Sequence, residues 1–212
     1  MKSQVRGGTR WKRFAVVMVP SVAATAAIGV GLAQGALAAS FSISGQEFKV
    51  KADSLVGKDF VQYGSVAAGK DLHGKPFAEP VGVSGFSEAW ITNMCQSVVT
   101  PDVPFIGNVS LELRAGTNPE KPVYAKDIYL DVSSLKADAE FGNIDIGVAA
   151  GSLKDPGIQP GTQANPYGFS QRAKTAKLTN VEQKAWATTA GTFKLSNLSL
   201  KLHKGTKECF TE

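Results

Sequence analysis

Apolar and polar residues alternate along several segments of this 212-residue chain. In segment 109–114 every second residue is Val or Leu, and the residues between them are polar. Segments 128–133, 144–148 and 198–203 show the same period of two. This period places one set of side chains on a buried face and the other on a solvated face, which is typical of antiparallel strands. No long run at the helical period follows Ala39, so the pattern predicts a mainly β protein.

The alternation shifts phase at recurring asparagines. Around Asn143, Asn180 and Asn197 the flanking apolar residues lie three positions apart rather than two. One extra residue in a ladder is a β-bulge or a tight corner, and Asn tolerates the left-handed backbone that such places can require. A row of asparagines that binds a ligand is the alternative interpretation.

Six short segments of the first half of the chain recur in the same order in the second half. The longest match joins 108–117 (NVSLELRAGT) to 197–206 (NLSLKLHKGT). Six matches in register are hard to attribute to chance, so we interpret the chain after its N-terminal segment as two related halves, 41–122 and 123–212. Convergent strand patterning within one β-rich domain is the alternative.

Two halves of this size are expected to share one core rather than to fold separately. The sequence therefore predicts one β domain over 39–212, an antiparallel sandwich or barrel built from two duplicated halves. The strands containing 108–114 and 197–203 should occupy equivalent positions. Their apolar residues should face one interior: Val109, Leu111, Leu113, Leu198, Leu200 and Leu202.

The first 38 residues have the three parts of a secretory signal peptide. A basic region ends at Arg13, apolar residues fill 14–33, and the small-residue site Ala-Leu-Ala follows at 36–38. We predict a signal helix that is cleaved before Ala39, and hence a secreted or extracytoplasmic protein. A retained membrane anchor is the alternative, because about 20 apolar residues can span a bilayer.

The formal net charge of +5 comes from this N-terminal segment. Residues 1–38 hold five basic and no acidic side chains, so residues 39–212 hold 23 − 5 = 18 basic and 18 acidic groups. Residues 39–212 are neutral overall and poor in arginine, so they lack the basic surface that binds phosphate backbones. This argues against nucleic-acid binding. Contact with a membrane is expected only through an uncleaved signal segment.

The chain after the signal segment contains two cysteines, Cys95 and Cys209. An even count in an exported protein predicts a disulfide, and two unpaired thiols are the alternative. With only His73 and His203 in the chain, a histidine-rich metal site is not expected. No phosphate-binding loop or dinucleotide fingerprint is present, so no cofactor is predicted.

The serine-hydrolase motif Gly-x-Ser-x-Gly is incomplete throughout the chain. Ser84 and Ser87 each follow a glycine by two positions, but neither precedes one by two. His73 lies in a loose segment, 70–83, which corresponds to the Pro- and Gly-rich loop 152–167 of the second half. These two loops are the best candidates for functional surface, with plain solvated loops as the alternative. Ser84, Ser87 and His73 are the weak catalytic candidates.

Four segments resemble a family of exported actinobacterial proteins, some of which are labelled cholesterol esterase. They are 4–20 (QVRGGTRWKRFAVVMVP), 45–50 (GQEFKV), 143–150 (NIDIGVAA) and 185–195 (AWATTAGTFKL). The resemblance implies a protein of the cell envelope or medium that handles sterol or lipid esters. It brings no catalytic motif onto particular residues of this chain.

Two functions of different classes follow. The resemblance implies a carboxylic-ester hydrolase acting on sterol or lipid esters. Among the residues of the chain, Ser84 and Ser87 are the weak candidates for its nucleophile and His73 is the candidate for its base. The residues alone favour a non-catalytic β protein that binds an apolar ligand or a partner in the envelope. A Ser–His pair beside a cleft would support hydrolysis, and an apolar cavity without one would support binding.

Overall fold

A computed structural model describes residues 43–211, which form a single eight-stranded sheet. Its strands are β1 (Ile43–Gly45), β2 (Phe48–Asp71), β3 (Pro76–Thr92), β4 (Met94–Val103), β5 (Gly107–Ala115), β6 (Val123–Ala149), β7 (Phe169–Lys194) and β8 (Ser199–Lys204). A 3-10 turn, Ala150–Ser152, follows β6. The predicted mainly β class is confirmed. The signal segment 1–38 and its cleavage site lie outside the described residues.

Four long strands pair in a closed circuit. β2 pairs with β3 and β7, and β6 pairs with the same two strands, always antiparallel. β3 passes into β4 at Asn93, which has a φ of 50°. β4 pairs with β5, and β5 pairs with β8, which ends this branch of the sheet. No helix within 43–211 is long and apolar enough to cross a membrane.

The first two strands show that the sheet is strongly coiled. β1 lies parallel to the far end of β2, with Ile43 opposite Gly69 and Gly45 opposite Asp71. Only two residues separate β1 from β2, whereas parallel neighbours normally need a crossover of about a dozen residues. The 24 residues of β2 extend about 80 Å along the strand, so β2 must curl back until its end meets its beginning.

The seam between β1 and β2 depends on two glycines. A Cβ at Gly45 would lie 2.2 Å from the Cα of Asp71, and one at Gly69 would lie 2.2 Å from the carbonyl oxygen of Ile43. Both obstacles are backbone atoms that cannot rotate away. Glycine is therefore required here for the close approach of two strands.

The three predicted asparagines all adopt the left-handed conformation. Asn143, Asn180 and Asn197 have φ values of 54°, 54° and 55°. The expected extra residue is found at Asn180 on one side of β7, because residues 180 and 181 lie opposite the single residue 137 of β6, whereas the pairing with β2 keeps a constant register. At Asn143 the pairing of β6 with β7 also keeps a constant register, so the expected extra residue is absent there. The left-handed Asn180 inverts the alternation, so that Leu178 and Val181 are both buried.

Two apolar clusters occupy opposite faces of the sheet, since the neighbours Phe60 and Val61 belong to different clusters. The larger cluster fills the inside of the closed circuit. The smaller one is covered by the segment after β6, which contributes Leu153 and Ile158. The predicted loop 152–167 therefore acts as a cover for this cluster. Each fully buried large side chain contributes about 1.5–3 kcal/mol to folding.

The segment 70–83 is not the loose loop that the sequence predicted. β2 continues to Asp71 and β3 begins at Pro76, so only a four-residue turn separates them. The Asp71 side chain accepts hydrogen bonds from the backbone N–H groups of His73 and Lys75, both at 2.8 Å. This local capping explains why a tight turn forms.

The predicted disulfide is confirmed. Cys95 and Cys209 are bonded, with their Cα atoms 5.8 Å apart. The bridge fastens the C-terminal strap, defined here as residues 205–210, over one face of β4 and β5. Ser110 Oγ accepts the Lys207 N–H at 2.8 Å and donates to the Gly205 carbonyl at 2.7 Å. The strap therefore satisfies polar groups on the face that it covers.

The prediction that the leucines of β8 face an interior is wrong. Leu198, Leu200 and Leu202 are 52%, 55% and 68% exposed, because the strap covers the opposite face of this part of the sheet. β5 and β8 are neighbours, and the matched residues Glu112 and Lys201 lie directly opposite each other, as a local twofold axis would require. The duplication of the whole domain stays a prediction.

Candidate functional site

The candidate catalytic residues lie apart. Ser84 Oγ accepts a hydrogen bond from Gln62 Nε2 at 3.1 Å, and Ser87 Oγ donates to Asp59 Oδ2 at 2.8 Å. His73 lies in the exposed β2–β3 turn, and Ser84 follows the start of β3 by eight residues, about 26 Å along the strand. The structure therefore brings neither serine to the imidazole that would act as its base.

An apolar cavity of ≈150 Å³ lies within the larger cluster, and Ser84 is part of its wall. β2, β3 and β7 supply its deep side, and the half-exposed edge of β6 supplies its mouth. The apolar lining consists of Leu55, Phe60, Phe86, Leu130, Leu135, Ala137, Ala139, Phe141, Leu178 and Val181. A smaller space of ≈30 Å³ shares several of these walls.

Aromatic rings form one side of the cavity. The ring of Phe60 lies 5.3 Å from that of Phe86 and 5.1 Å from that of Phe141, measured between centroids. Phe60 reaches the interior because Asp59 before it has a φ of 50°, which inverts the alternation of β2. Phe60 in the first half corresponds to Phe141 in the second half, one of the six matches of the sequence repeat, so the repeat already pairs two aromatic residues of this site.

Gln171, Gln62 and Ser84 form a chain of hydrogen bonds that ends at the cavity wall. Gln171 Nε2 donates to Gln62 Oε1 at 2.6 Å, and Gln62 in turn donates to Ser84. The Ser84 hydroxyl is therefore used as an acceptor, and its proton has no acceptor within residues 43–211. Ser84 can donate a hydrogen bond to a molecule in the cavity.

Gln183 is the second polar group in the cavity wall. Its side chain is only 6% exposed, lines both spaces, and makes no hydrogen bond in the described chain. Its amide atoms are not among the fully enclosed polar atoms that lack a partner, so they face accessible space and can donate to or accept from a molecule in the cavity. Gln62 and Gln183 were missed by the sequence analysis because no motif marks them.

The groups with shifted pKa values lie on the other face of the sheet. Burial raises the pKa of Tyr63 to about 12, and its hydroxyl accepts the Gln159 N–H at 2.8 Å. Burial also raises the pKa of Asp131, which is 9% exposed. The cavity itself is lined by amides and a hydroxyl, which do not titrate near neutral pH. These polar groups can donate and accept hydrogen bonds.

A larger open groove of ≈490 Å³ is also lined in part by Phe60. Two of its cations are neutralised within the groove. Arg172 Nε lies 2.9 Å from the carboxylate of Asp145, and Lys174 Nζ lies 3.5 Å from that of Asp59. Within residues 43–211 no cluster of His, Cys, Asp and Glu has the arrangement of a metal site.

Of the comparisons with known proteins, one finds a match, which is to a family model. No curated protein and no solved structure matches the chain. A family model described as a family of unknown function (DUF6230) matches residues 44–210, which is nearly all of the described domain. The chain therefore belongs to the DUF6230 family.

Proposed function

We propose that the protein binds the apolar part of a lipid-class molecule in the interior cavity and releases it unchanged. The observation that carries this proposal is the environment of Ser84. Its hydroxyl stands in an apolar cavity and is hydrogen-bonded to the Gln62 amide rather than to an imidazole. A serine without a base is a poor nucleophile but a good hydrogen-bond donor.

The size of the cavity limits what it holds. A dry cavity of about 150 Å³ accepts a molecule the size of benzene, whereas pockets that enclose a drug-sized ligand have about 300–1,000 Å³. We infer that the cavity takes the end of a longer molecule. The remainder would lie along the mouth at Leu135 and Ala139, whose half-exposed strand leaves this side open.

The polar groups define the chemistry of the bound end. Ser84 and the Gln183 amide can donate to a carbonyl, and the amide oxygen can accept from a hydroxyl. A sterol, a fatty alcohol or an acyl ester offers such a group next to an apolar body. The resemblance to proteins labelled as sterol esterases supports the same ligand class. The disulfide supports an exported location, where lipids of the envelope are accessible.

The test is a titration of the full-length protein with a fluorescent fatty acid and, separately, a fluorescent sterol. Ala139→Trp places a bulky side chain in the mouth and should abolish binding. Glu140→Trp, the next residue on the same exposed strand, points to the other face and should leave binding unchanged. The proposal is contradicted if the two variants bind the ligand equally well. It is also contradicted if neither the variants nor the wild-type protein binds it.

Hydrolysis is tested in parallel. Purified protein is incubated with a cholesteryl ester and with a fluorophosphonate that labels activated serines. We expect neither product nor label, and Ser84→Ala should weaken ligand binding without changing the background rate. Product formation that disappears in Ser84→Ala would establish the esterase instead.

A further inference from the structure

The second half of β6 has an open edge. β3 pairs with β6 only as far as Val132, which lies opposite Gly82, and the pairing of these two strands ends there. From Ser134 onward β7 is the only strand within 43–211 that pairs with β6, so the backbone groups along its other edge have no strand to pair with. An open edge of this length is a template for pairing with another chain.

Two other open edges of the sheet are protected against such pairing. Where β3 no longer pairs with β6 it carries Pro76 and Pro80, and proline cannot donate a hydrogen bond to a neighbouring strand. β8 ends its branch of the sheet and carries Lys201 and Lys204, whose like charges oppose pairing with a second copy. The open edge of β6 has neither protection, because it lacks proline and carries charges of both signs.

The regular part of this edge runs from Ser134 to Gly142. The register of β6 shifts between Val132 and Ser134, and Asn143 has a left-handed φ of 54°, so an irregularity marks each end. The centre of these nine residues is Asp138. Two copies that pair antiparallel over the whole regular part must therefore meet with Asp138 at the twofold axis.

Exposed charges on the face away from the cavity form rows that end at this edge. Lys51 of β2 forms an ion pair with Glu182 of β7 at 2.8 Å, and Lys136 lies opposite Glu182 on β6. Glu140 lies opposite Lys177 of β7 on the same face. The sign of the charge thus alternates from strand to strand. One row ends at the open edge with a positive charge and the other with a negative charge.

We propose that two copies of the protein pair antiparallel along the open edge of β6, with the twofold axis at Asp138. This register sets Lys136 of each copy opposite Glu140 of the other, because both lie two residues from the axis. The two rows of charge then join into one alternating row, and symmetry forms this row twice. On the cavity face, Leu135 of each copy meets Phe141 of the other. Nine paired residues form about eight to ten backbone hydrogen bonds, as many as a typical protein interface contains.

The axis itself carries one unfavourable contact. Asp138 lies opposite the same residue of the second copy, and like charges that are directly opposite destabilise a strand pair. Asp138 Oδ2 accepts a hydrogen bond from Asn180 Nδ2 of its own chain at 2.8 Å. One repulsive pair therefore stands against two attractive pairs, and Asp138→Asn should tighten the dimer.

The test measures the mass of the full-length protein by analytical ultracentrifugation over a range of concentrations. Lys136→Glu and Glu140→Lys should each weaken dimerisation by about tenfold or more, because each change acts at two symmetric contacts. When the two variants are mixed in equal amounts they should form a heterodimer, since the contacts between them restore opposite charges. Lys204→Glu, on the protected β8 edge, is the matched control and should leave the dimer unchanged.

Three results would overturn the proposal. The first is a wild-type protein that stays monomeric at every concentration. The second is a dimer that persists equally in both single variants, as association through residues 14–33 or another surface would. The third is a mixture of the two variants that contains no heterodimer. The pairing needs no ligand, so these outcomes are distinct from a failure of ligand binding, which is measured on the monomeric variants.

Discussion

Replacing Gly45 by alanine should open the seam at which β2 meets β1. The new Cβ would lie 2.2 Å from the Cα of Asp71 and 2.6 Å from the carbonyl oxygen of Lys70. Ordinary van der Waals contact needs 3.4 Å or more, so one backbone must move by more than an ångström. Backbone shifts of that size break the hydrogen bonds of a three-residue ladder.

The cost follows from what the seam holds together. Losing two or three backbone hydrogen bonds costs about 1 kcal/mol each. Exposing Ile43, which is 8% exposed in the fold, costs about 1.5–3 kcal/mol more. We therefore expect Gly45→Ala to lower the free energy of unfolding by about 3–6 kcal/mol, a large part of the stability of a typical domain.

Gly64 provides the matched control, because it lies within β2 and nothing stands within 4 Å of the position that a Cβ would take there. Gly64→Ala should change stability by less than about 1 kcal/mol, since alanine has the lower conformational entropy when unfolded. The assay is urea unfolding followed by far-ultraviolet circular dichroism, with both variants compared with wild type. Equal midpoints for the two variants would refute the close approach at the seam and with it the full curl of β2.

The remaining predictions concern the strap and two carboxyl groups. Replacing Cys95 and Cys209 together by serine should lower the unfolding free energy by about 5 kcal/mol, the chain-entropy value for a loop of 114 residues, and chemical reduction of wild type should have the same effect in urea melts. A hydrogen bond from Arg114 lowers the pKa of Glu112, so the free energy of unfolding should fall as the pH drops below 4.5. In urea melts recorded across this pH range, Glu112→Gln should show a smaller fall. Burial raises the pKa of Asp131, so its ionisation lowers stability as the pH rises above 3.8, and Asp131→Asn should gain stability at pH 7 but not at low pH.

The sequence predicted where strands form, but it did not always predict which face of a strand is buried. The alternation in β5 predicted the correct period, and Leu113 packs against the larger cluster, but the pattern did not show that the opposite face of β5 is covered as well. In the fold Ser110 is fully buried and Glu112 is 5% exposed, because the strap and Arg114 satisfy their polar atoms. The strap comes from more than ninety residues away, so no local pattern could show which face of β5 would be covered.

The cavity was unpredictable for a related reason. Gln62 and Gln183 look like surface residues, and only the pairing of β2 with β7 and β3 places them on the inside of a closed circuit. The disulfide, by contrast, followed from counting, because two cysteines have one possible pairing. The tight turn at His73 was missed because the loop-forming residues around it continue as paired strands.

The closed circuit also dictates an order of assembly. The hairpins β2–β3 and β6–β7 join neighbouring segments and can form early, but β2 also pairs with β7, where Phe48 meets Ala185, 185 − 48 = 137 residues later. Such distant contacts close slowly, because the intervening chain must first be brought together. Until β7 arrives, one edge of the long β2 strand has no partner, and an unpaired edge invites pairing with other chains. Pairing with β7 therefore closes the circuit and also removes this exposed edge.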